Sequence, residues 1–196
     1  MWGWLGELSW WFRGQRDERS LAFDRTWGTE TARFDLYNYE PSTPDVVNRV
    51  LDLLDVGPEG WSFVDLGSGK GRAVLLASLR PFRTAVGIEW RRGLHRRAQA
   101  NLAAFAARGG PRCPIELHCG DAATHPLPDG PLVVYLYTPF PAAVVHDVLV
   151  RLQGRDHRLC YVNPRESPLV EAMGYRGLCE EEDGTLGTFR VFAPPR

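Results

Sequence analysis

The stretch Phe63-Val64-Asp65-Leu66-Gly67-Ser68-Gly69-Lys70-Gly71-Arg72 limits what this chain can fold into more than any other. An apolar run from Trp61 to Leu66 has the length of a buried strand, alternating glycines follow it, and Ala73-Val74-Leu75-Leu76-Ala77 opens a helical pattern. Strand, tight loop and helix in that order call for an α/β architecture. Such a loop carries backbone N–H groups and the positive end of a helix up to a ligand, which suits a nucleotide or another anionic or hydrogen-bond-accepting group. The spacing narrows the choice. Gly67, Gly69 and Gly71 make GxGxG, whereas a dinucleotide fingerprint needs a glycine where Arg72 stands. A Walker loop is excluded because no Lys-Ser or Lys-Thr pair follows at the required distance. Asp65, inside the preceding strand, is a further mark.

Beyond the loop, strands alternate with helices, so a mostly parallel sheet covered on both faces is expected. The strands are expected at Trp61 to Leu66, Thr84 to Glu89, Ile115 to Cys119, Leu132 to Leu136 and Arg158 to Val162. The tail, Tyr175 to Cys179 and Gly187 to Phe192 across Asp183-Gly184, reads as an antiparallel hairpin. One helix starts at Pro44 behind a Ser42 or Thr43 cap and ends at Gly57-Pro58. A second carries Leu94, Ala98, Leu102 and Phe105 on one side. A third runs from about Pro141 to Leu152, with Val144, Val145, Val148 and Leu149 inward. Gly14 to Ser20 reads as a charged, solvated connector, and Phe23 to Thr31 as loop chemistry or the cover of a pocket.

In open parallel sheets, ligands sit beyond the carboxyl ends of the strands. Glu89, beside Trp90, ends the second strand about 20 residues past the glycines, where an acid reaches a ribose diol. Asp121 and Ala122 follow the third strand, where a carboxylate can accept from an adenine amino group and an N–H can donate to a ring nitrogen. The fourth strand runs into Tyr137-Thr138-Pro139-Phe140.

Val64-Asp65-Leu66-Gly67-Ser68-Gly69-Lys70-Gly71 resembles the first motif of class I S-adenosylmethionine (SAM) dependent methyltransferases. More narrowly, the chain resembles small prokaryotic members of unassigned substrate, through Phe23-Asp24-Arg25, Tyr39-x-Pro41-Ser42, the glycine loop through Arg72, and Tyr135-Leu136-Tyr137-x-Pro139-Phe140. The Tyr39 segment also resembles a group of protein-lysine methyltransferases. The resemblance implies a Rossmann-like class I fold with a seven-stranded sheet, and SAM as cofactor. Cofactor contacts would come from Asp65, Gly67, Ser68, Gly69, Gly71, Glu89, Trp90, Asp121, Ala122 and Tyr137. The acceptor would meet Tyr39, Tyr137, Thr138, Pro139 and Phe140. Amino-group methyltransferases carry Asp or Asn, Pro, Pro and an aromatic at this last place; Thr138 and a single proline depart from that pattern. The expected activity is methyl transfer to a nitrogen or oxygen of a small molecule; the alternatives are a protein lysine, or a SAM-binding module without catalysis. A hydroxyl acceptor would call for a base, for which His125, His146 and Asp147 are the candidates.

Composition excludes several other classes. A net charge of −1 calls for neither nucleic acid nor an acidic membrane, and Lys70 is the sole lysine. Cys113, Cys119, Cys160 and Cys179 form no CxxC pair, and no apolar run approaches the ~20 residues of a membrane span. With no secretory leader pattern either, a reducing cytoplasm is expected. His118, Cys119, Asp121 and His125 match no zinc spacing, so no metal is expected. The arginines from Arg91 to Arg97 read as a solvated helix face balanced by Glu180 to Asp183. Residues 1–40, with Trp2, Trp4, Trp10 and Trp11, are expected to cover the site of a domain spanning 41–196, and to offer apolar surface for a homodimer.

Overall fold

The computed structural model describes residues 18–32, 40–137, 140–183 and 187–195. Its centre is β1 (Ser62–Leu66), every residue of which is buried. On one side β1 pairs in parallel with β2 (Thr84–Glu89), which pairs with β3 (Ile115–Cys119); on the other it pairs with β4 (Leu132–Tyr137), which pairs with β5 (His157–Val162). The hairpin of β6 (Arg176–Asp183) and β7 (Gly187–Ala193) closes the sheet, with antiparallel β7 inserted beside β5, in the order β3-β2-β1-β4-β5-β7-β6. Strand order reverses at β1 and β4, and the glycine loop leaves β1 at that point, where open sheets place their ligands.

Among the described residues six helices flank the sheet: α1 (Glu18–Trp27), α2 (Pro44–Asp52), α3 (Arg72–Ala77), α4 (Arg92–Ala107), α5 (Ala142–Leu152) and α6 (Ser167–Ala172). Alternation along the central strands sends Phe63, Val133, Tyr135 and Cys160 to one face, against α2, α3 and Phe105 of α4. Val64, Leu66, Val134, Leu136 and Tyr161 go to the other, against Val145, Val148 and Leu149 of α5. Two apolar layers explain why β1, β2 and β4 read as mostly hydrophobic runs rather than alternating ones, with Asp65 and Glu89 as the acidic exceptions.

Several expectations need correction. Gly14 to Ser20 is not wholly a solvated connector, because α1 begins at Glu18 and Ser20 is buried; nor are residues 23–27 a loop. Phe23 and Trp27, one helical turn apart, pack on Phe105 with ring centroids 6.4 and 4.4 Å away. The charges around them hid that short stripe. Helix α2 is capped by Thr43, whose hydroxyl accepts from the Val46 N–H at 3.3 Å, and it ends at Asp52 rather than at Gly57-Pro58. Val144 is only half buried; Leu152 takes the fourth inward place on α5. The short α6 was not expected at all. Arg97 pairs with Glu30 at 2.9 Å, while Glu181 pairs with Arg49 and Glu180 with Arg190, so the acidic run does not balance the arginines of α4. The tryptophan-rich stretch 1–17 lies outside the described residues. Among those described, no helix is long and apolar enough to cross a membrane.

Candidate functional site

At the carboxyl edge of β1 the glycines take the backbone conformations that side chains avoid, with φ of +80° at Gly67, +55° at Gly69 and +87° at Gly71. A Cβ on Gly67 would stand 2.8 Å from Cζ of Phe140, so the aromatic that follows β4 closes over the loop. Most of the loop's donors are already engaged. The Gly67 and Ser68 N–H groups donate to the Ile88 carbonyl (2.8 and 3.1 Å), and the Gly71 N–H donates to the Ser68 carbonyl (2.8 Å). The Gly69 N–H donates to the Glu89 carboxylate at 2.8 Å.

Glu89, 4% exposed, accepts with its other oxygen from the Arg91 N–H at 2.8 Å, so one carboxylate ties the loop to the start of α4. Asp65, 5% exposed, lies in register between Gly87 and Tyr135 on the same face of the sheet. Burial, reinforced by the charge of Glu89, raises its pKa to about 8. With the loop's amides engaged, the Glu89 carboxylate beneath it repels a phosphate and attracts a cation, while the raised pKa keeps Asp65 largely protonated at neutral pH. Of the donors this loop was expected to present to an anionic or hydrogen-bond-accepting ligand, the Gly67, Ser68, Gly69 and Gly71 N–H groups are engaged within the protein. Ser68 also turns inward, its Oγ filling the space over Gly87, where a Cβ would meet it at 2.8 Å.

The remaining cofactor-edge residues surround this centre. Trp90, 69% exposed, presents its ring beside Arg91, whose guanidinium lies 5.6 Å from the ring centroid. Asp121 accepts from the Ala123 N–H at 2.8 Å, which fixes the turn after β3. Ala122 is buried, and its carbonyl accepts from Arg151 of α5 at 2.9 Å. Tyr137 ends β4 half-buried, its phenol accepting from the Asn163 amide at 3.3 Å and sharing a hydrogen bond with Glu40. Burial and the Glu40 charge hold that phenol neutral, well above the usual tyrosine range. Tyr39, Thr138 and Pro139 lie outside the described residues. His146 and Asp147 are exposed on α5, and His125 packs on His118 with centroids 4.7 Å apart. Burial lowers the His125 pKa, helped by His118 and Arg151. No group of metal-binding side chains occurs among the described residues.

Four contributors were not anticipated. Arg72, 2% exposed, donates to Thr31 Oγ1 (2.8 Å), Ser20 Oγ (2.6 Å) and the Ser42 carbonyl (2.9 Å), pinning the N-terminal segment to the base of α3. Asp24 organises the same segment by accepting from Thr29, Thr31 and Ala32. Burial opposes its ionisation, yet those hydrogen bonds outweigh it and lower its pKa. Buried Asn101 accepts from the Glu30 N–H at 2.8 Å and donates to the Lys70 carbonyl at 3.0 Å. A polar residue among Leu94, Ala98 and Phe105 on one stripe of α4 was the available signal. The fourth, Asn163, had only its Asn-Pro turn signature.

No protein-family model and no curated protein matches the sequence. Solved structures do match. An RNA methyltransferase from Salinibacter ruber in complex with S-adenosyl-L-homocysteine is 22% identical over 80% of this chain and 94% of its own, with a TM-score of 0.57. The human methyltransferase 10 domain containing protein is 13% identical over 91% of this chain and 95% of its own, with a TM-score of 0.64. A ribosomal protein L11 methylase from Lactobacillus delbrueckii subsp. bulgaricus is 13% identical over 77% of each chain, with a TM-score of 0.58. The chain has the Rossmann-like class I methyltransferase fold, with its mostly parallel seven-stranded sheet and C-terminal antiparallel hairpin.

Proposed function

We propose that the chain binds S-adenosylmethionine at the carboxyl edge of β1 to β3 and catalyses transfer of its methyl group to a nitrogen or oxygen. The observation that carries this reading is the pairing of an engaged glycine loop with two buried acids, the Glu89 carboxylate and an Asp65 carboxyl that a bound cation would help to ionise. A phosphate-bearing dinucleotide would meet repulsion and few open amides there. S-adenosylmethionine has no phosphate, and its sulfonium and ammonium outweigh its one carboxylate, so its net positive charge fits the same site. Glu89 would hold the ribose diol, with Asp121, Ala122 and Trp90 around the adenine. Asp65 and the loop glycines would face the methionyl part, and Phe140 would shield the reacting face. The cofactor supplies an activated methyl group; the chain's residues position it in line with the acceptor, which is the main source of rate in such a displacement.

A small-molecule acceptor remains the leading reading, with a protein lysine as the alternative. A net charge of −1 gives no support to RNA, although RNA methyltransferases are among the structural neighbours. Residues 1–40 would cover the site, a role supported by the ties from Arg72 and Asn101 to the segment around Thr31. Four free thiols support a reducing cytoplasm. Calorimetric titration with S-adenosylhomocysteine (SAH), with NAD as control, tests the cofactor. Micromolar SAH binding without NAD binding is expected; NAD binding alone would overturn the reading.

A further inference from the structure

A cavity of about 690 Å³ opens on the same edge of the sheet, beyond β4, β5 and the start of β7. Glu40, Asn163, Arg165, Glu180, Thr188 and Arg190 are among the residues that line it. Its neighbour on the cofactor side is Tyr137, one place past Leu136, whose register partner Leu66 directly precedes Gly67. The cavity and the glycine loop therefore lie on the same edge of the sheet, and the Tyr137 phenol at the end of β4 is hydrogen-bonded to two of the cavity's lining residues, Asn163 and Glu40.

Asn163 is the one non-glycine residue with positive φ among those described, at +46°. Its N–H donates to the Thr188 carbonyl at 2.7 Å, its carbonyl accepts from the Arg165 N–H at 2.8 Å, and its amide donates to Tyr137. A left-handed asparagine, held this firmly beside a cleft, is strain of the kind that persists where a side chain must be aimed. What it aims is the phenol, which also hydrogen-bonds Glu40. The other charges are largely spent. Arg190 lies between Glu171 at 2.7 Å and Glu180 at 3.3 Å. Glu40 and Arg165 make no ion pair with any described residue. The described lining has no histidine, lysine or cysteine, so nothing there can act as a strong base toward a hydroxyl. An amine needs none beyond a carboxylate to take its surplus proton.

Resting on the methyltransferase reading, we propose that this cavity is the acceptor site and that it takes a primary amine, held by the Glu40 carboxylate and the Tyr137 phenol, with Asn163 as the residue that positions the phenol. The ammonium proton passes to Glu40 and on to water. The nitrogen lone pair then bonds to the methyl carbon as the carbon–sulfur bond breaks, its electron pair going to sulfur. Asn163-Pro164 at the end of β5 thus supplies an amide beside the acceptor, of the kind that Thr138 replaces after β4.

The test combines binding and transfer. SAH-saturated protein is titrated with butylamine and with butanol, which share a shape and differ in charge. Butylamine is expected to bind at least tenfold more tightly. Glu40→Gln is expected to remove that preference, and Asn163→Gly, which suits the left-handed backbone, to weaken butylamine binding about fivefold. Both variants should bind SAH within twofold of the parent. Label from methyl-tritiated SAM is then offered to the small-molecule and protein fractions of a cell extract, each before and after acetylation of its amines. Transfer to either fraction that acetylation abolishes is expected, and the labelled fraction identifies the source. Equal binding of butanol and butylamine, transfer that survives acetylation, or label that ribonuclease releases would overturn the amine site while leaving the cofactor assignment intact. Failure of the parent protein to bind SAH would overturn both.

Discussion

The two halves of the sheet's carboxyl edge are assembled in different ways. Between β1 and β2 the parts lie close in sequence: loop, Asp65 and Glu89 fall within one strand–helix–strand unit, and a single carboxylate joins the loop to the next helix. Beyond β4 and β5 the parts are far apart in sequence, with Glu40 ahead of α2, Tyr137 ending β4, Asn163 just past β5 and Thr188 second in β7. The first half is a local motif whose geometry follows from glycine spacing. The second depends on three strand pairings and a docked N-terminal segment, so it can change its chemistry without disturbing the first.

Perturbations should separate the two halves. The largest effect is expected where they are tied together. Arg72→Ala removes a buried guanidinium and leaves the Ser20 and Thr31 hydroxyls and the Ser42 carbonyl without their donor, costing about 3 kcal/mol of stability, readable by urea denaturation. An unchanged midpoint would show that the N-terminal segment is not held through Arg72. Next, Glu89→Ala should weaken SAH binding by about 2–3 kcal/mol in calorimetry while leaving the butylamine preference in place. Loss of both would mean that the halves are not independent. Gly67→Ala places a Cβ at φ +80° and against Phe140, for about 1–2 kcal/mol, seen as a lower Tm and weaker SAH binding.

Asp65 offers a pH signature for the cofactor half alone. Its carboxyl loses its proton near the ordinary 3.8 when unfolded but near about 8 when folded. Between those values the folded state binds more protons, so this group makes stability fall as pH rises from about 4 to about 8, and the effect levels off above that. The slope is at most ~1.4 kcal/mol per pH unit. In Asp65→Asn that contribution should vanish, so its Tm relative to the parent should rise from pH 5 to pH 8; a constant difference would refute the raised pKa. The smallest effect belongs to the tie between β4 and the segment ahead of α2. Tyr135→Phe deletes the 2.7 Å hydrogen bond to Ser42 and should cost about 1 kcal/mol, with SAH affinity unchanged.

Much of the fold was legible because parallel strands buried on both faces are continuous apolar runs that end on turn residues. β2 and β3 fall where the pattern put them, and the other strands differ by a few residues at their ends. Helix α1 was not legible, since it buries only Ser20 and Phe23 and is stabilised mainly by packing and by a hydrogen-bond network that closes across the chain. Asp65 and Glu89 could be named from spacing; that Glu89 engages the loop's own amide, and so biases the site toward a cation, could not.

The sequence by itself determined the order of elements, the left-handed glycine loop and the acids at the strand ends, because these depend on residue type and on neighbours a few positions away. Tertiary structure decided which donors the loop withholds, how residues 18–32 are fixed, and that Glu40 and Asn163 meet at one cavity with the Tyr137 phenol bonded to both. Those outcomes depend on strand register and on burial, which set hydrogen-bond partners and charge between residues far apart in the chain.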